Sequence, residues 1–120
     1  MTSAPSRGEI WFVQLPTDPP EKGRRPVVVV SAEVRNRAPR ATTVLVVPLS
    51  TTPARLDTHI EILPGETGLP ERSTLRCENI TTVPKTLLVG PRLALRRLGE
   101  TRLRQVATAV QIALGYPPAR

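Results

Sequence analysis

Pro26-Val27-Val28-Val29-Val30-Ser31 is the stretch that decides the fold. Four consecutive valines behind a proline show no polar alternation, which is the pattern of a strand buried on both faces. Working outward, Thr42-Thr43-Val44-Leu45-Val46-Val47 repeats that pattern and ends at Pro48, so the hydroxyl-rich Ser50-Thr51-Thr52-Pro53 reads as a loop. Upstream, Gly8-Glu9-Ile10-Trp11-Phe12-Val13-Gln14-Leu15 mixes β-branched and aromatic residues before a proline-rich loop over residues 16–20. Between the two valine runs, Arg35, Arg37 and Arg40 punctuate what reads as a basic loop with Pro39 inside it.

Further along, Thr58-His59-Ile60-Glu61-Ile62-Leu63 alternates polar and apolar residues, predicting a strand with one solvated face. Pro64-Gly65-Glu66-Thr67-Gly68 supplies turn chemistry after it. Residues 73–83 are β-prone with an interruption at Cys77-Glu78-Asn79, and Leu87-Leu88-Val89 ends at Gly90-Pro91. One helix is expected near the C-terminus, where Leu103, Val106, Ala107, Val110, Ala113 and Leu114 recur at spacings of three and four, with Glu100 in the first turn and Gly115 past the end. The fold class is therefore mainly β with a C-terminal helix (α+β): a small β-barrel or strongly curved sheet closed by that helix. At 120 residues the chain is expected to form one domain, with residues 1–6 and 116–120 as flexible termini.

Lys and Arg number 17 against 10 Asp and Glu, a formal charge of +7, which makes a polyanion the natural partner and nucleic acid the first candidate. Trp11, Phe12 and Tyr116 are the full set of aromatics, too few for a protein that stacks several bases on aromatic platforms. Cys77 stands alone, which excludes an intramolecular disulfide and a CxxC pair and fits a reducing cytoplasm. The apolar runs are too short to span a bilayer, so neither membrane insertion nor export is expected. No histidine pair, carboxylate cluster at ligand spacing or phosphate-binding glycine loop is present, so neither a metal site nor another cofactor is expected.

Catalysis in such a chain falls to arginine, hydroxyls and one carboxylate. Gly23-Arg24-Arg25-Pro26 lies where a loop meets a buried strand, and Pro26 biases Arg25 toward an extended backbone, presenting its guanidinium as a phosphate clamp. Ser50 and Thr51 follow the second buried strand in the same manner, and adjacent strands would bring Arg25 and Ser50 to one rim. Glu78 and Asn79 are candidates for base-edge contacts, or else form an edge bulge. The lone His59, on the face expected to be solvated, reads as a bystander to chemistry.

The order Arg7-Gly8-Glu9-Ile10-Trp11, Gly23-Arg24-Arg25-Pro26-Val27, Val46-Val47-Pro48-Leu49-Ser50-Thr51, Thr58-His59-Ile60-Glu61-Ile62, Gly68-Leu69 with Ser73, Cys77-Glu78-Asn79-Ile80 and Ala113-Leu114-Gly115 resembles the MazF/PemK family of toxins across residues 7–115. The resemblance implies an SH3-like barrel with a C-terminal helix, the MazF/CcdB-like toxin fold, forming a homodimer whose groove receives RNA. It implies sequence-specific, metal-independent cleavage of single-stranded mRNA, leaving a cyclic phosphate and a 5′-hydroxyl. It also implies a MazE-like antitoxin whose tail occupies the groove, in a toxin–antitoxin complex that binds DNA. The family's arginine falls on Arg25 and its hydroxyl on Ser50, with Thr51 as the alternative one residue on. Its loop glutamate aligns with Glu21 if a gap is allowed and otherwise with Pro20, and Arg24 and Glu21 join Glu78 and Asn79 as expected RNA contacts. The segment Ile80-Thr81-Thr82 lacks a basic residue that some members carry. Leu93, Leu95 and Leu98 are candidates for a dimer contact or for the core.

Two other functions compete. A gyrase-poisoning toxin of the same fold has no need of the Arg25/Ser50 rim, and a non-catalytic RNA-binding barrel predicts salt-sensitive binding without cleavage.

Overall fold

The computed structural model describes residues 4–91, 95 and 97–116. The elements run β1 (Ile10–Val13), β2 (Arg25–Val29), α1 (Glu33–Arg37), β3 (Thr43–Ser50), β4 (His59–Ile62), α2 (Pro64–Thr67), β5 (Ser73–Arg76), β6 (Thr81–Pro84) and α3 (Glu100–Ala113). Short 3-10 turns lie at Pro20–Lys22, Cys77–Asn79 and Lys85–Leu87. The six-stranded sheet is antiparallel in every ladder and runs β1-β2-β3-β5-β4, with β6 beside the first half of β3.

The valine run behaves as its composition dictates. Val27 and Val29 pack with Trp11, Val13, Val44, Val46 and Val83 on one side of the sheet. Val28 packs on the other with Ile10, Val47, Leu49, Ile62 and Leu75, and with Leu103, Val106 and Ala109 from α3. Because β2 is buried on both faces, a slip of one residue would move its valines between the two cores, so the register is strongly specified.

β3 runs through Pro48 to Ser50, three residues beyond the end expected from the proline. The Val30 amide donates to Leu45 O and the Leu45 amide to Ser31 Oγ, so the odd-numbered residues of β3 turn their backbone groups toward β2. By alternation Pro48 turns its missing N–H away from β2, into the gap after the β6 ladder ends at Val46 and before the β5 ladder begins at Leu49. The strand survives its proline because no ladder bond is required there. The result is a curved sheet with α3 against it: β1 and β4, the two ends of the strand path, do not pair to close the expected barrel, and the outer edge of β1 bonds instead to Val89, with Phe12 N–H donating to Val89 O at 2.9 Å and Val89 N–H to Phe12 O at 2.8 Å.

Other expectations need correction. The basic loop is instead α1, built around buried Asn36, whose Nδ2 donates to Ser31 O at 2.9 Å and to Glu33 Oε1 at 2.9 Å. On α3 the buried stripe is Leu103, Val106 and Ala109, whereas Ala107, Ala113 and Leu114 are exposed. Leu98 is buried and Leu95 packs against the same core, while Leu93 lies outside the described residues, as do residues 1–3 and 117–120 of the expected flexible ends. Among the described residues no helix is long and apolar enough to cross a membrane.

Leu75 is fully enclosed and Leu114 is 69% exposed. Leu75→Ala is expected to destabilise the fold by about 2–5 kcal/mol, and Leu114→Ala by no more than about 0.5 kcal/mol, as read from urea unfolding midpoints.

Candidate active site

The β2–β3 ladder sets Val27 opposite Pro48, and two residues further along the same register brings Arg25 to Ser50. Both line one open groove of about 460 Å³, together with Lys22, Thr51, Glu71 and Ser73. Arg25 Nη1 donates to both carboxylate oxygens of Asp18, at 3.2 and 3.1 Å, and Nη2 reaches Leu49 O at 3.4 Å. These contacts hold the head group over the end of β3, and among the described residues Arg25 Nε–H has no protein acceptor. The Asp18 side chain is only 11% exposed, so the pair is shielded from water on that side. Ser50 Oγ accepts the Thr52 amide at 3.1 Å, an ordinary turn contact that leaves the hydroxyl's own proton to point into the groove. The neighbouring Thr51 is exposed on the lip.

Asp18 escaped the sequence reading, in which Glu21 was the one acidic residue of this loop considered. Its signal was present: an acidic residue inside a proline-stiffened loop that must return to β2. Glu21, within the Pro20–Lys22 turn, and Arg24, just before β2, are both exposed, and Lys22 supplies the groove lining there instead.

Glu78 and Asn79 lie beyond β5, in the turn Cys77–Asn79, and do not line the groove. His59 is not solvated as its alternation suggested, since its side chain is 5% exposed. Its Nδ1 accepts the Arg55 amide at 3.1 Å, so Nε2 carries the ring proton and donates it to Glu78 Oε2 at 2.8 Å. Thr58 Oγ1 donates to Glu78 Oε1 at 3.1 Å. Burial alone would raise the Glu78 carboxyl, but the hydrogen bonds from His59, its own backbone and Thr58 together hold it below the ordinary carboxylate value. Cys77, beside it, is a core residue whose thiol is pushed up to about 12, first by burial and then by the Glu78 charge. Among the described residues no group of histidines, cysteines and carboxylates converges as a metal site would.

This groove sits in a chain whose residues 6–114 match the family model described as "PemK-like, MazF-like toxin of type II toxin-antitoxin system". The chain belongs to the PemK/MazF toxin family. It is 35% identical over 114 residues to "Probable endoribonuclease MazF5" of Mycobacterium tuberculosis strain H37Rv, covering 95% of this chain and 96% of that one. It is 30% identical over 110 residues to "Endoribonuclease EndoA" of Bacillus subtilis, covering 90% and 92%. Among solved structures, an endoribonuclease in complex with its cognate antitoxin from a mycobacterial species superposes with a TM-score of 0.75 at 26% identity, covering 97% of this chain and all (100%) of that one. Mycobacterium tuberculosis toxin MazF-mt6 superposes at 0.73 with 27% identity, covering 92% and 99%. The open curved sheet with its terminal helix is thus the PemK/MazF architecture, and the Arg25/Ser50 rim lies inside the matched region.

The lowered Glu78 carboxyl makes the stability of the fold depend on pH. A group whose folded value lies below its unfolded one adds stability above the unfolded value, and that stability is lost as pH falls through the folded value. Melting temperature is expected to decline from about pH 5 downward. Glu78→Gln should melt lower than wild type at pH 7 and show a shallower acid decline, measured by thermal melts across pH.

Proposed function

We propose that this chain is a metal-independent endoribonuclease toxin that cuts single-stranded mRNA at a preferred sequence. The observation that carries the reading is the meeting of Arg25 and Ser50 in one groove across the β2–β3 register. A net charge of +7 favours an RNA polyanion, and relatives named as endoribonucleases over nearly their whole length support the same activity.

The ribose 2′-hydroxyl loses its proton to solvent and attacks the adjacent phosphorus, forming a 2′,3′-cyclic phosphate as the bond to the 5′-oxygen breaks and that oxygen takes a proton from solvent to leave as the 5′-hydroxyl. Charge builds on the non-bridging oxygens in the transition state, and the Arg25 guanidinium, already oriented by Asp18, stabilises it there. The Ser50 hydroxyl donates to the same phosphate and fixes the attack geometry, with Thr51 as the alternative donor on the lip. A guanidinium with pKa above about 12 is poorly matched to proton transfer at neutral pH, so Arg25 acts by charge rather than as acid or base. Glu21, Arg24, Glu78 and Asn79, none of which lines the groove, contact the RNA outside the scissile step.

The working form is a cytoplasmic homodimer, inhibited by a MazE-like antitoxin and binding DNA in complex with it. The solved complex of a mycobacterial endoribonuclease with its cognate antitoxin supports an antitoxin partner.

Single-turnover cleavage of a long single-stranded RNA tests the assignment. Arg25→Ala is expected to slow cleavage about 100- to 1000-fold. Ser50→Ala is expected to lose more rate than Thr51→Ala. Near-wild-type cleavage by Arg25→Ala would overturn the mechanism.

A further inference from the structure

Alternation along β5 sends Leu75 into the core and turns Thr74 and Arg76 to the opposite face. Ser50 stands opposite Thr74, and His59 stands opposite Arg76. Arg76 therefore shares a sheet face with Ser50 and lies one diagonal step from it, a separation of about 7–8 Å between backbones.

The guanidinium there is poorly matched to its neighbours. Arg76 Nε is buried and, among the described residues, makes no hydrogen bond. The nearest carboxylate oxygen, Glu78 Oε2, is 3.9 Å away, too far for a hydrogen bond. That oxygen already accepts from His59 Nε2 at 2.8 Å, and Glu78 Oε1 from Thr58 at 3.1 Å. Glu78 thus holds a cation nearby without occupying its donors. The Arg76 side chain is 37% exposed, so its fork can reach a ligand from solvent.

We propose that Arg76 forms a second phosphate-binding site, taking a backbone phosphodiester of the RNA next to the one held between Arg25 and Ser50. This rests on the ribonuclease reading above. A planar fork of donors suits paired phosphate oxygens, and its diagonal offset from Ser50 lets one strand lie across both. Arg76 then contributes affinity and strand register, not bond cleavage, and does not select the cut sequence.

The test is equilibrium binding of a short mixed-sequence single-stranded RNA carrying 2′-O-methyl riboses, which lack the attacking hydroxyl, titrated over a range of salt. Arg76→Gln should bind several-fold more weakly at low salt, and its plot of log affinity against log salt should be shallower by about 0.7, the value for one lost phosphate contact on a single strand. Arg76→Lys should keep the wild-type slope. Arg37→Gln, which removes an equal charge from a 71% exposed position on α1, should also keep it. A partly misfolded Arg76→Gln sample would lower the active fraction but leave the slope intact, so an unchanged slope overturns the proposal. A change in preferred cut sites on an unmodified long RNA, with an unchanged slope on the 2′-O-methyl RNA, would make Arg76 a base reader and also overturns it. Salt-independent or absent binding by wild type would instead overturn the ribonuclease reading.

Discussion

The antiparallel register of β2 on β3 is the constraint on which the rest of this molecule depends. It is fixed by burial, because Val27 and Val29 serve one core while Val28 serves the other. A strand with two dry faces has no low-cost alternative alignment. The same register carries Arg25 and Ser50, at the ends of their strands, to one rim of the groove. Stability and the candidate chemistry are thus set by one alignment: the valines that hold the sheet also aim the arginine.

Two local features refine that placement. Pro48 allows β3 to leave β6 and take up β5 without wasting a donor, and this switch extends the strand to Ser50 on rigid backbone. Asp18 reaches back from the proline-rich loop to hold the Arg25 head group. At the far end of β5, Glu78 is clasped by His59 and Thr58, which ties the Cys77–Asn79 turn to the start of β4. The loop after Ser50 is joined to the same cluster through the Arg55 amide on His59.

Much of this was legible in the chain because its periodicities are strong. Uninterrupted valines signal two-sided burial, and the terminal helix shows its period plainly, so both were read at nearly their observed positions. Arg25 beside Ser50 followed from treating the valine runs as neighbours. What escaped depends on long-range pairing that composition does not encode. The orientation of the Pro48 N–H is decided by which strand lies beside it, and α1 is held by a side-chain network around Asn36 that a run of arginines does not announce. His59 was misread because alternation reports which face a residue takes, not whether another segment covers that face. Asp18 was missed because its partner is seven residues away through an irregular loop.

Cleavage of RNA as proposed requires a groove that accepts a polyanion and a cation fixed at its wall. The structure has a basic chain, an open groove and a guanidinium held by a shielded carboxylate. In the proposed reaction a phosphodiester in that groove is cut by its own ribose, without a metal. That reaction is tested most directly by incubating purified wild-type protein with a long single-stranded RNA in EDTA and mapping the product ends. Discrete cuts bearing 5′-hydroxyl and 2′,3′-cyclic phosphate ends are expected; 5′-phosphate ends, or RNA left intact across diverse sequences, would refute metal-free cleavage by the ribose.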